Sequence, residues 1–412
     1  ATYEWLTTKE HALKRPDTYV GSTAVSEISN FVFENKDGEL QTKTVVAKTS
    51  PAIFKFLEEA ITNAYDNHRR HSNQKTLKIT VAGNRFSVYN DGNTIPIEYW
   101  PGTTRYKPEI LFSEPMSGEN FNDNEARKGG GRNGLGGKII ALFSTEMEIE
   151  INNFECGLRY RQKFTNNLSC IDPPKIDTLP KAITKSSTKI SWIPDYKRLG
   201  LPETLDENTM SLLKQKAFDV AACTHPRMNV YINDFKIPIK CAKDYAKLLG
   251  GKFLAYDKIC DENKEPIFEV CFMSGLDHTQ QIGFVNSIAC VGSHIELVYR
   301  KITDNLTEFV AKQNKKKEER KPFRTNQIKD LISIVVVATI NNPSFTSQAK
   351  DKLDTRPEKF GFTYDPSSTT MRALQQDEYI ISRLLNISVQ QDEKLLKSTL
   401  KTDKKSLNAI PK

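Results

Sequence analysis

A helix that carries three polar side chains on one face constrains this chain most. Glu59, Asn63 and Asn67 follow one another at intervals of four residues in segment 51–67, whose other positions are mostly apolar. That spacing places the three side chains above one another on an α-helix. A carboxylate can hold an attacking water, and an amide oxygen is a neutral ligand for a hard cation such as Mg²⁺. The face therefore predicts a site in which Glu59 activates water and Asn63 binds a metal ion.

A glycine-rich segment is the second feature. Residues 128–138 read Lys-Gly-Gly-Gly-Arg-Asn-Gly-Leu-Gly-Gly-Lys and open a predicted helix. Glycines allow backbone N–H groups to close on phosphate, and a helix N-terminus favours negative charge. The segment is not a Walker A loop, because Ile139 follows Lys138 where that motif has Ser or Thr. Alone it could be a flexible connection, but together with the Glu59 helix it predicts a site that binds and hydrolyses a nucleotide.

Three other segments have roles that the residues alone leave open. Asn90 ends a predicted strand beside Ile95, where it could read the edge of a base or form an ordinary Asx turn. Gln348 and Lys350 lie in a loop and act only if something brings that loop to the phosphates; otherwise the lysine is solvated. A basic run is either a DNA-facing patch or a solvated helix face balanced by neighbouring glutamates. Its basic residues are Lys315, Lys316, Lys317, Arg320 and Lys321.

Composition bounds the class of protein. The 412 residues have room for two or three domains, and 59 Lys and Arg against 51 Asp and Glu give a net charge of +8, which is compatible with a polyanionic partner. The seven cysteines include no C-x-x-C pair, which indicates reduced thiols in an intracellular setting. The longest apolar run, residues 331–340, is about half a membrane span, so we expect no membrane association.

Local patterns predict an α+β fold with one mixed sheet and helices on one face. Residues 1–22 read as a polar arm, and Ser50 as the N-cap of the long helix with Pro51 at its first position. Segments 77–81 and 85–89 predict a hairpin, with further strands at 146–151, 158–164, 188–192 and 228–232. A second unit begins near residue 250. In it we expect a helix at 294–311, a buried strand at 328–340 and a terminal helix at 377–401.

These motifs, in this order, resemble the N-terminal ATPase region of type IIA DNA topoisomerases, closest to the eukaryotic and large-DNA-virus topoisomerase II. The resemblance covers about residues 3–400. It rests on segments 14–22, 59–67, 90–96, 132–138, 284–288 and 342–350. The second to fourth of these would fit any GHKL ATPase, including MutL, histidine kinases and a heat-shock chaperone. The last two, typical of a transducer domain and its Q-T-K loop, make the resemblance specific.

The resemblance implies an arm at 1–22, a GHKL (Bergerat) ATPase domain at 23–250 and an α/β transducer domain at 251–412. It implies that Glu59 is the general base, that Asn63 binds Mg²⁺, and that Gln348 and Lys350 reach the γ-phosphate of ATP. Asn90 and Thr188 would contact adenine, with Ile95 and Phe112 packing on the base. The remaining nucleotide-binding residues would be Asn67, Asn120, Arg132, Asn133, Gly134, Leu135, Gly136, Gly137 and Lys138.

The sequence departs from the family pattern at several positions. Leu135 replaces an aromatic residue, Gly118 and Glu119 replace two serines, Ala349 replaces the Thr of Q-T-K, and Thr94 replaces a glycine. Because the base, the metal ligand and the lysines remain, we expect activity to be tuned and not abolished. The alternatives are a nucleotide-binding DNA clamp with weak turnover and a MutL-like repair ATPase.

The expected function is the ATP-operated entry gate of a type II topoisomerase. Its expected partners are double-stranded DNA, a second copy that joins on ATP binding, and the rest of a topoisomerase chain that carries the cleavage core. No E-G-x-S-A site, D-x-D pair or winged-helix tyrosine occurs in the sequence, so this piece should not cut DNA. The expected location is the nucleus, or a viral replication site.

Overall fold

The computed structural model describes residues 3–71, 73–115, 117–118, 135–224, 228–313, 322–347 and 349–407, with only the backbone at 392 and 394–407. Its α-helices are α1 (Thr8–Lys14), α2 (Asp17–Val20), α3 (Ala52–Arg70), α4 (Lys107–Ser113), α5 (Gly136–Leu142), α6 (Glu207–Cys223), α7 (Ala242–Leu248), α8 (Ser293–Gln313), α9 (Thr325–Lys329), α10 (Ser368–Gln376) and α11 (Glu378–Leu407). A short 3₁₀ helix covers Pro357–Lys359. The strands are β1 (Ser26–Lys36), β2 (Glu39–Thr49), β3 (Thr76–Ala82), β4 (Arg85–Asp91), β5 (Ser144–Asn153), β6 (Leu158–Thr165), β7 (Cys170–Ile171), β8 (Lys175–Thr178), β9 (Ser187–Pro194), β10 (Asn229–Ile232), β11 (Phe235–Lys236), β12 (Lys252–Cys260), β13 (Pro266–Ser274), β14 (Gln281–Val285), β15 (Ile288–Ala289), β16 (Val291–Gly292), β17 (Ser333–Ala338) and β18 (Lys352–Leu353).

The first sheet has nine strands in the order β11-β10-β3-β4-β9-β5-β6-β7, with β8 beside β6. It is mixed, because β10 and β3 run parallel while β3, β4, β9 and β5 are antiparallel neighbours. Leu77, Ile79 and Val81 alternate with more exposed residues along β3, so one face of the strand meets the core. The predicted hairpin is confirmed as β3–β4, and Gly83 turns it with a φ of +57°. The mixed α+β architecture is confirmed as well.

Helix α3 packs its apolar side on this sheet and on α5. Phe56 and Phe143 stack with ring centroids 5.7 Å apart, and both are fully buried. The predicted cap by the Ser50 side chain was wrong. Pro51 already has helical dihedrals at the cap position, and within the described residues the buried Ser50 Oγ has no hydrogen-bond partner. A proline pre-organised for the helix therefore begins it without a side-chain cap.

The N-terminal fifth is more regular than the sequence indicates. Within the predicted polar arm, α1 begins with a capping box in which Thr7 and Glu10 bond each other reciprocally. The sequence did not reveal the long hairpin β1–β2. One face of this hairpin packs on α6, where the buried Gln215 accepts a hydrogen bond from the Phe33 N–H at 2.8 Å.

The second sheet has the order β12-β13-β17-β14-β15, and every residue of β17 is buried. The predicted helix at 294–311 is confirmed as α8, whose apolar side covers this sheet. The predicted strand at 328–340 was too long. Residues 325–329 form α9 because Gln327 bonds back to the Arg324 N–H, and the strand starts only at Ser333. A buried helix and a buried strand are both apolar over so short a stretch, so periodicity alone did not distinguish α9 from the strand that follows it.

The two sheets share a continuous apolar core. Tyr245 of α7 packs edge-on against Phe33 at 4.9 Å and against Phe284 of β14 at 5.6 Å between ring centroids. Its hydroxyl donates to Asp219 at 2.8 Å, which satisfies a buried carboxylate. α7 therefore joins the β1–β2 hairpin, α6 and the second sheet. The domain boundary near residue 250 stays a prediction.

No helix in the described part of the chain combines the length and the apolar character needed to cross a bilayer.

Candidate functional site

A cavity of about 520 Å³ opens between α3, the end of β4, α4 and the start of α5. It gathers side chains that lie far apart in sequence. Those among the predicted site residues are Glu59, Asn63, Asn67, Asn90, Ile95, Phe112, Leu135, Gly136, Gly137, Lys138, Thr188 and Lys350. A cavity of this size holds a cofactor-sized molecule.

Glu59 is a carboxylate with two lysine partners on one oxygen. It is 4% exposed, and its Oε1 lies 2.9 Å from Lys55 Nζ and 3.4 Å from Lys350 Nζ. Burial on its own raises the pKa of the Glu59 carboxyl, but the charges of Lys350 and Lys55 outweigh burial and lower that pKa to about 2. The carboxylate is therefore ionised at neutral pH and is a weak base while both lysines touch it.

Lys350 reaches Glu59 from the loop between β17 and β18. Its backbone has a φ of +61°, in the left-handed region that residues with a Cβ seldom adopt. Its N–H donates to the Ser347 carbonyl at 3.1 Å, which closes the turn. Lys55 Nζ also donates to the Ala349 carbonyl at 3.4 Å. Helix α3 thus holds the loop at two adjacent residues.

Asn63 is the exposed position on an otherwise buried stretch of α3. It is exposed because it faces the cavity, one helical turn beyond Glu59. A Cβ added at Gly136 would lie 3.7 Å from Asn63 Nδ2, so the start of α5 passes close to this amide. Among the described residues, no cluster of three or more His, Cys, Asp or Glu side chains could bind a metal ion.

Two glycines let α5 approach the cavity closely. A Cβ at Gly136 would collide with Glu59 Oε2, and a Cβ at Gly137 would lie 2.9 Å from the ring of Phe112. Both contacts are shorter than a Cβ tolerates, so a side chain at either position would displace Glu59 or Phe112. The close packing brings the backbone of Gly136 against the Glu59 carboxylate and that of Gly137 against the Phe112 ring.

Lys138 is a buried lysine without a carboxylate among the described partners of its ammonium group. Its Nζ donates to the Ser117 carbonyl, and burial lowers its pKa to about 8. An anion in the cavity would stabilise the charged form of Lys138 and raise its pKa again.

The opposite end of the cavity is suited to a flat polar ring. Asn90 of β4 pairs in register with Thr188 of β9, and Ile95 and Phe112 add apolar surface. The adjacent Asp91 points away and accepts from the N–H groups of Lys75 and Thr76 at 2.8 and 2.7 Å. It therefore anchors the turn and leaves Asn90 to line the cavity.

Some predicted site residues lie outside the described part of the chain. They are Asn120, Arg132, Asn133, Gly134 and Gln348, together with the DNA candidates Lys315, Lys316, Lys317, Arg320 and Lys321. The roles assigned to all the site residues stay predictions, including those that the structure brings together.

The fold has a solved counterpart. The ATPase region of Saccharomyces cerevisiae topoisomerase II matches with a TM-score of 0.83 and 30% sequence identity, over 93% of this chain and 98% of that one. This chain belongs to the topoisomerase II ATPase-region family. The ATPase and transducer domains of topoisomerase II from Balamuthia mandrillaris match with a TM-score of 0.83 at 28% identity, over 95% of this chain and 98% of that one.

Sequence comparisons agree with the structural match. The family model of DNA gyrase B matches residues 238–403. DNA topoisomerase 2 of Saccharomyces cerevisiae is 31% identical over 430 residues, which covers 100% of this chain and 29% of that protein. A probable DNA topoisomerase 2 of Dictyostelium discoideum is 32% identical over 98% of this chain and 26% of its own length. The chain thus spans less than a third of these two relatives.

Two residues that contact the site of this topoisomerase II ATPase region were not predicted from the sequence. Lys55 precedes Glu59 by one helical turn, so the i, i+4 ion pair was visible as a spacing, but its contact with Ala349 was not. Gln74 lies between α3 and β3 and contacts both Asn67 and Asn90. Nothing in its sequence context marks it as part of a site.

Proposed function

We propose that this topoisomerase II-type region binds and hydrolyses ATP with Mg²⁺ and is the entry gate of a type II topoisomerase. In this function, ATP joins two copies into a clamp that captures a DNA duplex for strand passage. One observation carries the proposal: a buried carboxylate in a nucleotide-sized cavity is contacted by a lysine from a loop of the second sheet. A steady-state ATPase assay with and without DNA tests it, and turnover in neither condition would contradict it.

Glu59 is the proposed general base, and Lys350 controls it. In the present arrangement two lysines hold the carboxylate, which makes it a weak base. A γ-phosphate is a stronger partner for Lys350 because it carries more negative charge. Once Lys350 turns to the phosphate, Glu59 keeps Lys55 alone and its basicity rises. The general base therefore becomes effective when a triphosphate fills the cavity.

Asn63 is the proposed protein ligand of Mg²⁺. Its exposed amide faces the cavity one turn from Glu59, and Mg²⁺ typically takes one or two protein ligands, with phosphate oxygens and waters completing the octahedron. The Asn63 amide oxygen therefore fits Mg²⁺ as its single protein ligand. The bound ion would neutralise phosphate charge, while Glu59 holds the attacking water and Lys138 binds a phosphate oxygen.

Lys138 should give nucleotide binding a dependence on pH. Its pKa is lowered to about 8 by burial, and a bound phosphate stabilises the charged form. Affinity for ADP should therefore fall as pH rises from 7 to 9, by roughly 10-fold for the loss of one charged hydrogen bond. Lys138→Arg should bind without this fall because arginine stays charged. Calorimetric titrations with ADP at both pH values measure the affinity of wild type and of the arginine variant. An equal fall in Lys138→Arg would remove Lys138 from the phosphate site.

The proposed partners are a second copy of the chain and the rest of a longer topoisomerase chain. Tyr3 and Trp5 are 97% and 90% exposed, so two aromatic rings of the arm are available to dock on a second copy. We propose that this docking accompanies ATP binding. The rest of the topoisomerase chain would carry the DNA-cleaving residues, and the protein would act in the nucleus or at a viral replication site.

The basic run at residues 315–321 is proposed to face DNA inside the clamp. Replacing its lysines and its arginine with Glu should weaken duplex binding and reduce the salt slope by about one unit for each lost phosphate contact. Basal ATPase activity without DNA should barely change. The measurement is duplex affinity across a salt series for each single replacement, with Lys181→Glu as the control that makes the same change of charge at another exposed lysine. An unaltered salt slope would favour a solvated face.

A nucleotide-binding clamp with weak turnover is the second candidate. The low pKa of Glu59 favours it, because a carboxylate with a pKa of about 2 is a poor proton acceptor. Binding without hydrolysis in the ATPase assay, even with DNA present, would select it. A MutL-like repair ATPase is disfavoured by the match to topoisomerase II over nearly the whole chain.

A further inference from the structure

Gln74 is a buried amide whose orientation is fixed by its neighbours. Its side chain is fully buried. Nε2 donates to the Ala64 carbonyl at 3.1 Å and contacts Met228 Sδ at 3.4 Å. A carbonyl oxygen can only accept, so the NH₂ end of Gln74 must face α3. Oε1 is therefore directed the other way, towards Asn67 and Asn90.

The fixed oxygen of Gln74 sets the orientation of Asn90 in turn. Asn90 Nδ2 lies 3.4 Å from Gln74 Oε1 and 3.2 Å from the Asp91 carbonyl, and both of these atoms only accept. The NH₂ end of Asn90 is thus committed to the protein. Within the described part of the chain no group donates to Asn90 Oδ1, and Asn90 lines the cavity. The end that remains for a ligand is an acceptor.

Asn67 reinforces the arrangement. Its Nδ2 donates to the same Gln74 oxygen at 2.8 Å and to the Asn93 carbonyl at 3.2 Å. Two donors therefore converge on Gln74 Oε1, and turning the Gln74 amide over would leave both facing an NH₂ group. Because an unpaired buried donor costs free energy, the three amides keep one common orientation.

We propose that Gln74 is a positioning residue that makes the site select adenine over guanine. The proposal rests on the proposed function, in which Asn90 meets the base. Adenine presents an amino donor at N6, whereas guanine presents the acceptor O6 at the same place. Asn90 Oδ1 accepts from the amino group and repels O6. An asparagine free to turn its amide would bind either base, and Gln74 and the Asp91 carbonyl together remove that freedom.

The test is the ratio of dissociation constants for GDP and ADP in Gln74→Met. Methionine keeps the length and burial of the side chain, but its sulfur is only a weak acceptor. The NH₂ end of Asn90 then keeps only the Asp91 carbonyl as a partner, so turning the Asn90 amide over costs less free energy, and the ratio should fall by about 10-fold, the worth of one lost buried hydrogen bond. Gln74→Ser, whose hydroxyl is too short to reach Asn90, should show the same fall if the methionine variant folds poorly.

Asn90→Asp supplies the rescue, since both carboxylate oxygens accept and no orientation has to be chosen. Adding it to Gln74→Met should restore the preference for ADP. Gln162→Met is the control. It changes another buried glutamine, which bonds Glu109 and the Asp172 carbonyl, and it should leave the ratio unchanged. A residue that only fills space would alter stability or weaken both nucleotides equally, so an unchanged ratio in Gln74→Met overturns the proposal.

The ratio measured for the wild-type protein separates a failure of the proposed function from a failure of the role proposed for Gln74. If the wild-type protein binds GDP as well as ADP, the adenine subsite of the proposed function is wrong and this inference falls with it. If wild type prefers ADP and Gln74→Met prefers it equally, the proposed function stands and the role of Gln74 is refuted.

Discussion

Glu59→Gln is expected to bind a non-hydrolysable ATP analogue while hydrolysing ATP roughly 10²–10⁴ times more slowly than wild type, the usual worth of a general base. The amide keeps the shape of the side chain and can still accept a hydrogen bond from water or from a lysine. It has no basicity, so an attacking water would keep its proton. Steady-state turnover measures the loss of hydrolysis, and calorimetry with the analogue measures the retained binding.

Glu58→Gln is the matched control for this prediction. Glu58 is the neighbouring residue of α3, but its carboxylate pairs with Lys216 at 2.7 Å and does not line the nucleotide-sized cavity. Its turnover should stay close to that of wild type. Because Glu59→Gln also removes a countercharge from the buried Lys55, thermal unfolding of both variants is needed to show that they are folded. Near-normal turnover in folded Glu59→Gln would exclude Glu59 as the base.

Local periodicity in the sequence predicted many of the helices and strands. The three-residue polar face of α3 and the alternation of β3 and β4 were readable because each pattern persists over several turns or residue pairs. The resemblance then supplied the order of the segments that line the cavity. The sequence failed where a short apolar stretch fits two structures, as at α9 and β17, and where a hairpin gains its stability from another element, as β1–β2 does from α6.

The least predictable parts of the site are contacts between distant residues. Glu59 and Lys350 are 291 residues apart, so no spacing in the sequence indicates that one oxygen is shared by Lys350 and Lys55. Gln74 is similar, since its effect on Asn90 depends on the packing of α3 against β3 and β4. Without a tertiary arrangement a buried glutamine is an ordinary polar residue.

The second large effect concerns Lys350 and dimerisation. Lys350 gains a stronger partner only when a γ-phosphate is present, so a triphosphate favours the state in which its loop stays over the nucleotide. A non-hydrolysable ATP analogue should therefore convert wild type to a dimer, and ADP should do so much less. Lys350→Ala loses this charged hydrogen bond, worth about 1.5–3 kcal/mol, and should remain mostly monomeric with the analogue while still binding ADP. Sizing with each nucleotide measures the outcome.

Lys352→Ala tests whether the effect belongs to Lys350 or to the loop. Lys352 lies two residues further along and is exposed, whereas Lys350 is 7% exposed and touches Glu59. Removal of the exposed lysine takes the same charge from the same segment, so it should leave the response to the analogue intact. Since Lys350→Ala also frees Glu59 from one lysine, its ADP affinity must be measured before its failure to dimerise is assigned to the γ-phosphate. If Lys350→Ala dimerises with the analogue as wild type does, Lys350 is not the γ-phosphate sensor, and its contact with Glu59 only holds the loop against α3.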